Sequence, residues 1–200
     1  MKKTSSFLKF LIFLGLSFFI SQTAFAKDKL TLYCSVEIDV CEILVQAFEK
    51  ETGIDVAMTR KSSGETFAQI KAEGSNPKGD VWFGGTGDPH LTASQEGLTY
   101  EYKSIHFDDL LPAAQNQAIN GAFKTVGIYV GALGFGYNKD IIKSKGLPEP
   151  KSWADLTNPV YKGEIQVANP NSSGTAYTTL ATILQIFGEE KGWDYMKALH

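Results

Sequence analysis

The chain has 200 residues, 43% of them hydrophobic, and 19 Lys and Arg stand against 22 Asp and Glu for a net charge of −3. Ordinary apolar content with scattered glycine reads as a globular protein, and the acidic balance argues against nucleic acid or an anionic membrane as a partner. It leaves room for a local anion site, because helix ends and hydroxyls bind phosphate with little net charge.

Residues 1–26 read as a secretory signal. Lys2 and Lys3 supply positive charge, Phe10–Ile20 is a mostly apolar run, and Ala24-Phe25-Ala26 fits a small-x-small cleavage site. The run of 11 residues falls short of the roughly 20 a membrane span needs. No cysteine follows it directly, so no lipid anchor is expected. The mature chain then starts at Lys27, with 16 basic residues facing 22 acidic ones. It is expected to be exported to the periplasm.

From Leu30 the pattern is β-α-β-α-β-α. Leu30–Tyr33 reads as a strand. Asp39, with Glu42 three residues on, predicts a capping box for a helix carrying Val40, Ile43, Leu44, Ala47 and Phe48, ended by Gly53. Ile54–Thr59 is a second strand, and Ser62-Ser63-Gly64-Glu65 opens a second helix that stops at Gly74. Asp80–Phe83 is a short third strand running into Gly84-Gly85-Thr86-Gly87, after which Asp88-Pro89 predicts an N-cap with proline behind it. Such a series folds as a parallel sheet flanked by helices.

The only cysteines, Cys34 and Cys41, have no His or further Cys near them for a metal site. In an oxidising compartment a local disulfide is the better expectation. Residues 97–123 are less regular, and His106 reads as a surface or packing histidine. The glycine-punctuated run 125–137 is strand-like and predicts a crossing between two lobes. Asn138 starts a short helix. Pro148, Pro150 and Pro159 punctuate a connection to a predicted strand at Glu164–Ala168, and a long helix follows from about Thr175 to Phe187.

The loops at the strand ends share one chemistry. They carry Ser35, then Ser62, Ser63 and Gly64, then Gly85 and Thr86, and finally Ser172, Ser173, Gly174 and Thr175. Ligands of open parallel sheets bind beyond the carboxyl ends of the strands, where helix N-termini expose free N–H groups. Together these residues predict an anion site, with phosphate the usual guest. Turns favour Ser and Gly in any case, and Ser172 or Ser173 can simply cap its helix, so the plain turn reading stays open.

The stretches Tyr129–Asp140, Pro148–Leu156, Tyr161–Glu164 and Asn171–Tyr177, with Arg60–Gly64 and Asp80–Pro89, resemble the periplasmic solute-binding proteins of ABC importers, in the group labelled ferric-iron or iron-compound binders. The cysteine pair, the Gly-Gly-Thr-x-Asp-Pro run and Leu199-His200 are similar to its hexose-phosphate-binding branch. The resemblance implies a two-lobed α/β fold of type II and an incomplete second lobe, because family members continue well past position 200. It divides the chain into residues 27–129 as first lobe and 130–200 as hinge crossing and partial second lobe.

By the same resemblance, Ser35, Ser62, Ser63, Thr86 and Ser172–Thr175 surround a phosphate, and His200 lies near the sugar. The protein, as a monomer, hands its ligand to a membrane permease. A ferric-iron binder is the alternative, whose tyrosine pair would fall beyond residue 200. A secreted hydrolase is the third reading, but no Gly-x-Ser-x-Gly elbow, Walker loop or His-Glu-x-x-His occurs. His90, His106 and His200 are widely separated. No cofactor and no enzymatic activity are expected.

Overall fold

Leu30, Leu32 and Cys34 alternate to one face of the first strand, as the two-residue period of extended chain requires. In the computed structural model, which describes residues 28–200, β1 (Lys29–Cys34) is the middle strand of a parallel sheet. The order is β2-β1-β3, with β2 spanning Asp55–Arg60 and β3 Val81–Phe83. Leu32 pairs with Met58 on one side and Val81 on the other. The inward faces of the three strands meet around Leu32, Cys34 and Cys41, with Val56, Met58 and Phe83 packed against them. The leader reading of residues 1–26 lies outside the described residues.

The ladder continues past the strand ends. Ser35 N–H donates to Phe83 O at 2.8 Å, and Lys61 N–H to Cys34 O at 3.0 Å. The loops that carry the hydroxyls are therefore fixed to the sheet rather than free of it. Cys34 and Cys41 form the expected disulfide, with Cα atoms 6.2 Å apart and both residues fully buried.

Helix α1 (Ile38–Thr52) begins two residues earlier than its sequence predicts. Its N-cap is Glu37, and Asp39 lies inside the first turn. The Cys41 N–H bonds Glu37 O at 3.1 Å, closing that turn, so the Asp39–Glu42 capping box does not form. Its end is as expected: Gly53 adopts a left-handed φ of 75° and its N–H returns to Glu49 O. Helix α2 (Ser63–Glu73) opens within the predicted Ser62–Glu65 stretch, with Ser62 as its N-cap. Helix α3 (Gly87–Gln95) is capped at Thr86 instead of Asp88. Gly84 and Gly85, with φ of 78° and 88°, reverse the chain so early that Asp88 and Pro89 fall within the first turn.

Helices α4 (Pro112–Asn120), α5 (Lys139–Ser144), α6 (Gly174–Phe187) and α7 (Glu189–Leu199) complete the regular structure. Two predicted strands are absent. Residues 125–137 and 164–168 are extended or turning backbone without a paired strand. A strand exists only by its ladder, and these segments have no strand beside them among the described residues. Helices α6 and α7 pack on each other: Phe187 stacks on Tyr195 with ring centres 5.1 Å apart, and the Tyr195 hydroxyl donates to Trp153 O at 2.6 Å. Among the described residues no helix is long and apolar enough to cross a membrane.

Candidate functional site

Three helices begin at one place. Thr86, the residue before α3, gives its N–H to Ser63 Oγ in the first turn of α2 at 3.1 Å. The turn before α6 presses on that same end of α2: Ser172 O accepts from Gly64 N–H at 3.1 Å and from Ser62 Oγ at 2.5 Å. These contacts bridge more than a hundred residues of chain. Ser173 caps α6 by accepting the Ala176 N–H at 3.3 Å. Each N-terminus leaves N–H donors without partners inside its helix, and the three positive ends add.

Small residues are what let the termini come so close. A Cβ on Gly174 would collide with Thr86 Oγ1 and lie 2.8 Å from Ser63 Oγ. One on Gly85 would collide with Ser63 Oγ and stand 3.0 Å from the Ser35 Cβ. At this junction Thr86 Oγ1 is buried without any hydrogen-bond partner. A buried hydroxyl normally finds one, so this orphan, set against Gly174 at the start of α6, is unusual. Beside the termini opens a cleft of about 270 Å³, lined among others by Gly64, Phe67, Asp88, Asn171, Gly174 and Tyr177.

The profile of one family, the bacterial extracellular solute-binding proteins, matches residues 85–200. The chain belongs to that family. As a solute-binding protein it is 43% identical over 182 residues to an uncharacterised protein of Haemophilus influenzae, an alignment covering 90% of this chain and 53% of that one. The periplasmic binding protein AfuA from Actinobacillus pleuropneumoniae, solved with exogenous fructose-6-phosphate bound, is also 43% identical. That match has a TM-score of 0.82 and covers 88% of this chain and 55% of AfuA. Iron-bound HitA from Pseudomonas aeruginosa, 23% identical over 86% of this chain and 54% of its own, has a TM-score of 0.61 and speaks to the fold alone. This solute-binding protein thus spans about half the length of the relatives it matches.

Of the residues the sequence singled out, Ser35, Ser62, Ser63, Gly64, Gly85, Thr86, Ser172, Ser173 and Gly174 are brought to this junction. Their availability differs. The Ser62 hydroxyl is engaged by Ser172 O and the Glu65 carboxylate, 2.8 Å away, so it acts as a clamp. Thr175 is exposed, and its carbonyl accepts from Thr179 Oγ1. His200 is exposed at the end of α7, and no hydrogen bond among the described residues joins it to the junction.

The support behind the junction was not visible in the sequence. Tyr129 Oη accepts from Gly85 N–H and donates to Gly85 O, both at 2.8 Å. Trp82 Nε1–H donates to Ser35 Oγ at 2.9 Å, and His90 stacks on the Trp82 indole with ring centres 3.7 Å apart. His90 Nε2 meets the Gly84 carbonyl at 2.8 Å, and since a carbonyl only accepts, that nitrogen carries the proton. Burial lowers the His90 pKa below its ordinary value, which favours the neutral ring. Aromatic residues at such positions give no local hint of these roles.

Proposed function

We propose that this protein is the periplasmic substrate-binding component of an ABC importer, and that it captures a phosphorylated sugar and delivers it to a membrane permease. Binding and closure are its whole action, with no chemistry on the ligand. Residues 27–129 form the first lobe, and 130–200 form the crossing and part of the second. Ser35, Ser63, Thr86, Ser173, Gly174 and Thr175 contribute hydroxyl and backbone donors to the phosphate; Gly64, Gly85 and Ser172, whose own donors go to Ser172 O, Tyr129 Oη and Asn169 O, shape the site, with Ser62 holding their loops and His200 assigned to the sugar.

The observation that carries this reading is the orphan Thr86 hydroxyl at the meeting of three helix N-termini. Neutral donors suit a transported dianion, because a matching full charge buried beside it would slow release. The fructose-6-phosphate in AfuA, a protein of high similarity, supports a phosphomonoester over other anions. A ferric ion instead calls for carboxylate, phenolate or imidazole ligands.

Thermal unfolding with added ligand tests the reading. A hexose 6-phosphate at 100 times its Kd stabilises the folded state by about 2.7 kcal/mol and raises the melting temperature. Stabilisation by ferric ion without any by hexose phosphate overturns the proposal and installs the iron reading in its place.

A further inference from the structure

Ser35 follows β1 directly and is buried, with its hydroxyl oxygen touched from two other elements. Trp82 Nε1–H of β3 donates to it at 2.9 Å, and Thr66 Oγ1 of α2 lies 3.1 Å away. An indole N–H can only donate, so one of the two lone pairs on Ser35 Oγ is occupied. The indole and the two hydroxyls carry three hydrogens between them but make two hydrogen bonds, so one hydroxyl hydrogen is left over. Its owner can be either Thr66 or Ser35.

The surroundings decide between them. Both residues are buried, but Thr66 is the deeper, 1% exposed against 8% for Ser35, and its hydroxyl has no other partner among the described residues. Leaving the spare hydrogen on Thr66 would orphan a buried donor, which costs its full desolvation. If Thr66 donates instead, both Ser35 lone pairs are filled and the Ser35 hydrogen is left for a guest, at a residue whose Cβ lies 3.0 Å from where a Cβ on Gly85 would stand. That arrangement satisfies every group once an anion arrives.

Resting on the phosphate reading above, we propose that Thr66 and Trp82 are positioning residues that hold the Ser35 hydroxyl as an obligate donor, so that the site takes the fully ionised phosphomonoester and disfavours its monoprotonated form. A protonated phosphate oxygen needs an acceptor, and Ser35 has no lone pair to give it. Ser63 Oγ, with one of its two lone pairs taken by the Thr86 N–H, and the Thr86 hydroxyl can each still accept. The selection is therefore graded and is read as a ratio.

Several titratable groups border the site. His90 stacks on Trp82 from α3, Glu65 holds Ser62 from α2, Asp88 lines the cleft and Tyr129 holds Gly85. A hexose 6-sulfate cancels their influence, since it has similar shape and carries no proton between pH 5 and pH 8.

The test is calorimetric titration of the full chain with hexose 6-phosphate and hexose 6-sulfate at both pH values. With a second phosphate pKa of about 6, roughly a tenth of the ester is dianionic at pH 5. In the wild type the ratio of phosphate Kd to sulfate Kd rises by more than about three-fold from pH 8 to pH 5, toward the limit of about ten-fold that complete exclusion of the monoanion would give. Thr66→Val leaves Ser35 a vacant lone pair, and the rise shrinks to about three-fold or less, while Thr66→Ser restores it. Trp82→Phe frees the other lone pair and flattens the ratio in the same way, which covers a failure of Thr66→Val to fold.

A wild-type rise that persists undiminished in folded Thr66→Val and Trp82→Phe, or a flat ratio in the wild type, overturns the assignment and leaves the phosphate reading standing. Absence of hexose 6-phosphate binding by the wild type at pH 8 overturns both.

Discussion

Gly64→Ala puts the convergence of the termini to a test in which even the sign of the effect is informative. At an open helical position this exchange stabilises by about 0.5–1 kcal/mol, since glycine loses more backbone entropy on folding. Here the new Cβ would sit 2.8 Å from Ser172 O and 2.9 Å from the Ser172 carbonyl carbon, and would collide with Asn171 O. Those neighbours are backbone and cannot swing aside. The turn 169–174 must withdraw from α2, at about 1–3 kcal/mol for the overpacking. Withdrawal also breaks the bonds to Ser172 O from Gly64 N–H and Ser62 Oγ, at about 0.5–1.5 kcal/mol each. Set against the helical gain, the net loss is about 3 kcal/mol.

For a chain of this size that corresponds to a fall in melting temperature of about 6–12 °C. Circular dichroism melts of the two proteins measure it, and titration with a phosphomonoester should show weakened binding as α6 and α2 separate. A Gly64→Ala protein that melts at or above the wild-type temperature would falsify the packing of this turn against α2, and with it the shared site.

Two other outcomes follow from the first sheet. Replacing Cys34 and Cys41 by serine opens a short loop whose closure contributes about 2–3 kcal/mol, so the melting temperature falls by about 5–10 °C and added reductant no longer shifts it. Burial, followed by its hydrogen bond to Glu73 at 2.6 Å, pushes the Tyr33 phenol up to about 12. Because the folded pKa exceeds the unfolded one, the resulting stability is complete below about pH 10 and is lost as pH rises toward 12. Tyr33→Phe should therefore be less stable than wild type at pH 8 in urea unfolding, with the gap narrowing by pH 11; a gap that is constant over that range removes the linkage.

The residues proposed for the anion site were legible in the sequence because their signals are local. Ser62 and Ser173 precede apolar helical periods, Gly84-Gly85 cannot continue a strand, and all lie beyond the carboxyl ends of strands or before helices. The extended runs 125–137 and 164–168 misled for the converse reason. Their composition suits a strand, but strand formation depends on a neighbour that no local pattern specifies. The partners of Ser35 escaped notice because Thr66 and Trp82 lie 31 and 47 residues away, inside ordinary helical and strand patterns. Start positions of helices slipped by two residues where covalent or backbone geometry overrode a capping preference, as at Cys41 and Gly85.

One phenol grips both poles of a single peptide residue: Tyr129 Oη bonds the N–H and the carbonyl of Gly85 together. Neither bond survives a separation of much more than half an ångström beyond its present length. The run 125–137 and the glycine hairpin ahead of α3 are accordingly geared to each other. A displacement of that run beyond this limit gives up both bonds together, and with them the hold on the residue just ahead of Thr86.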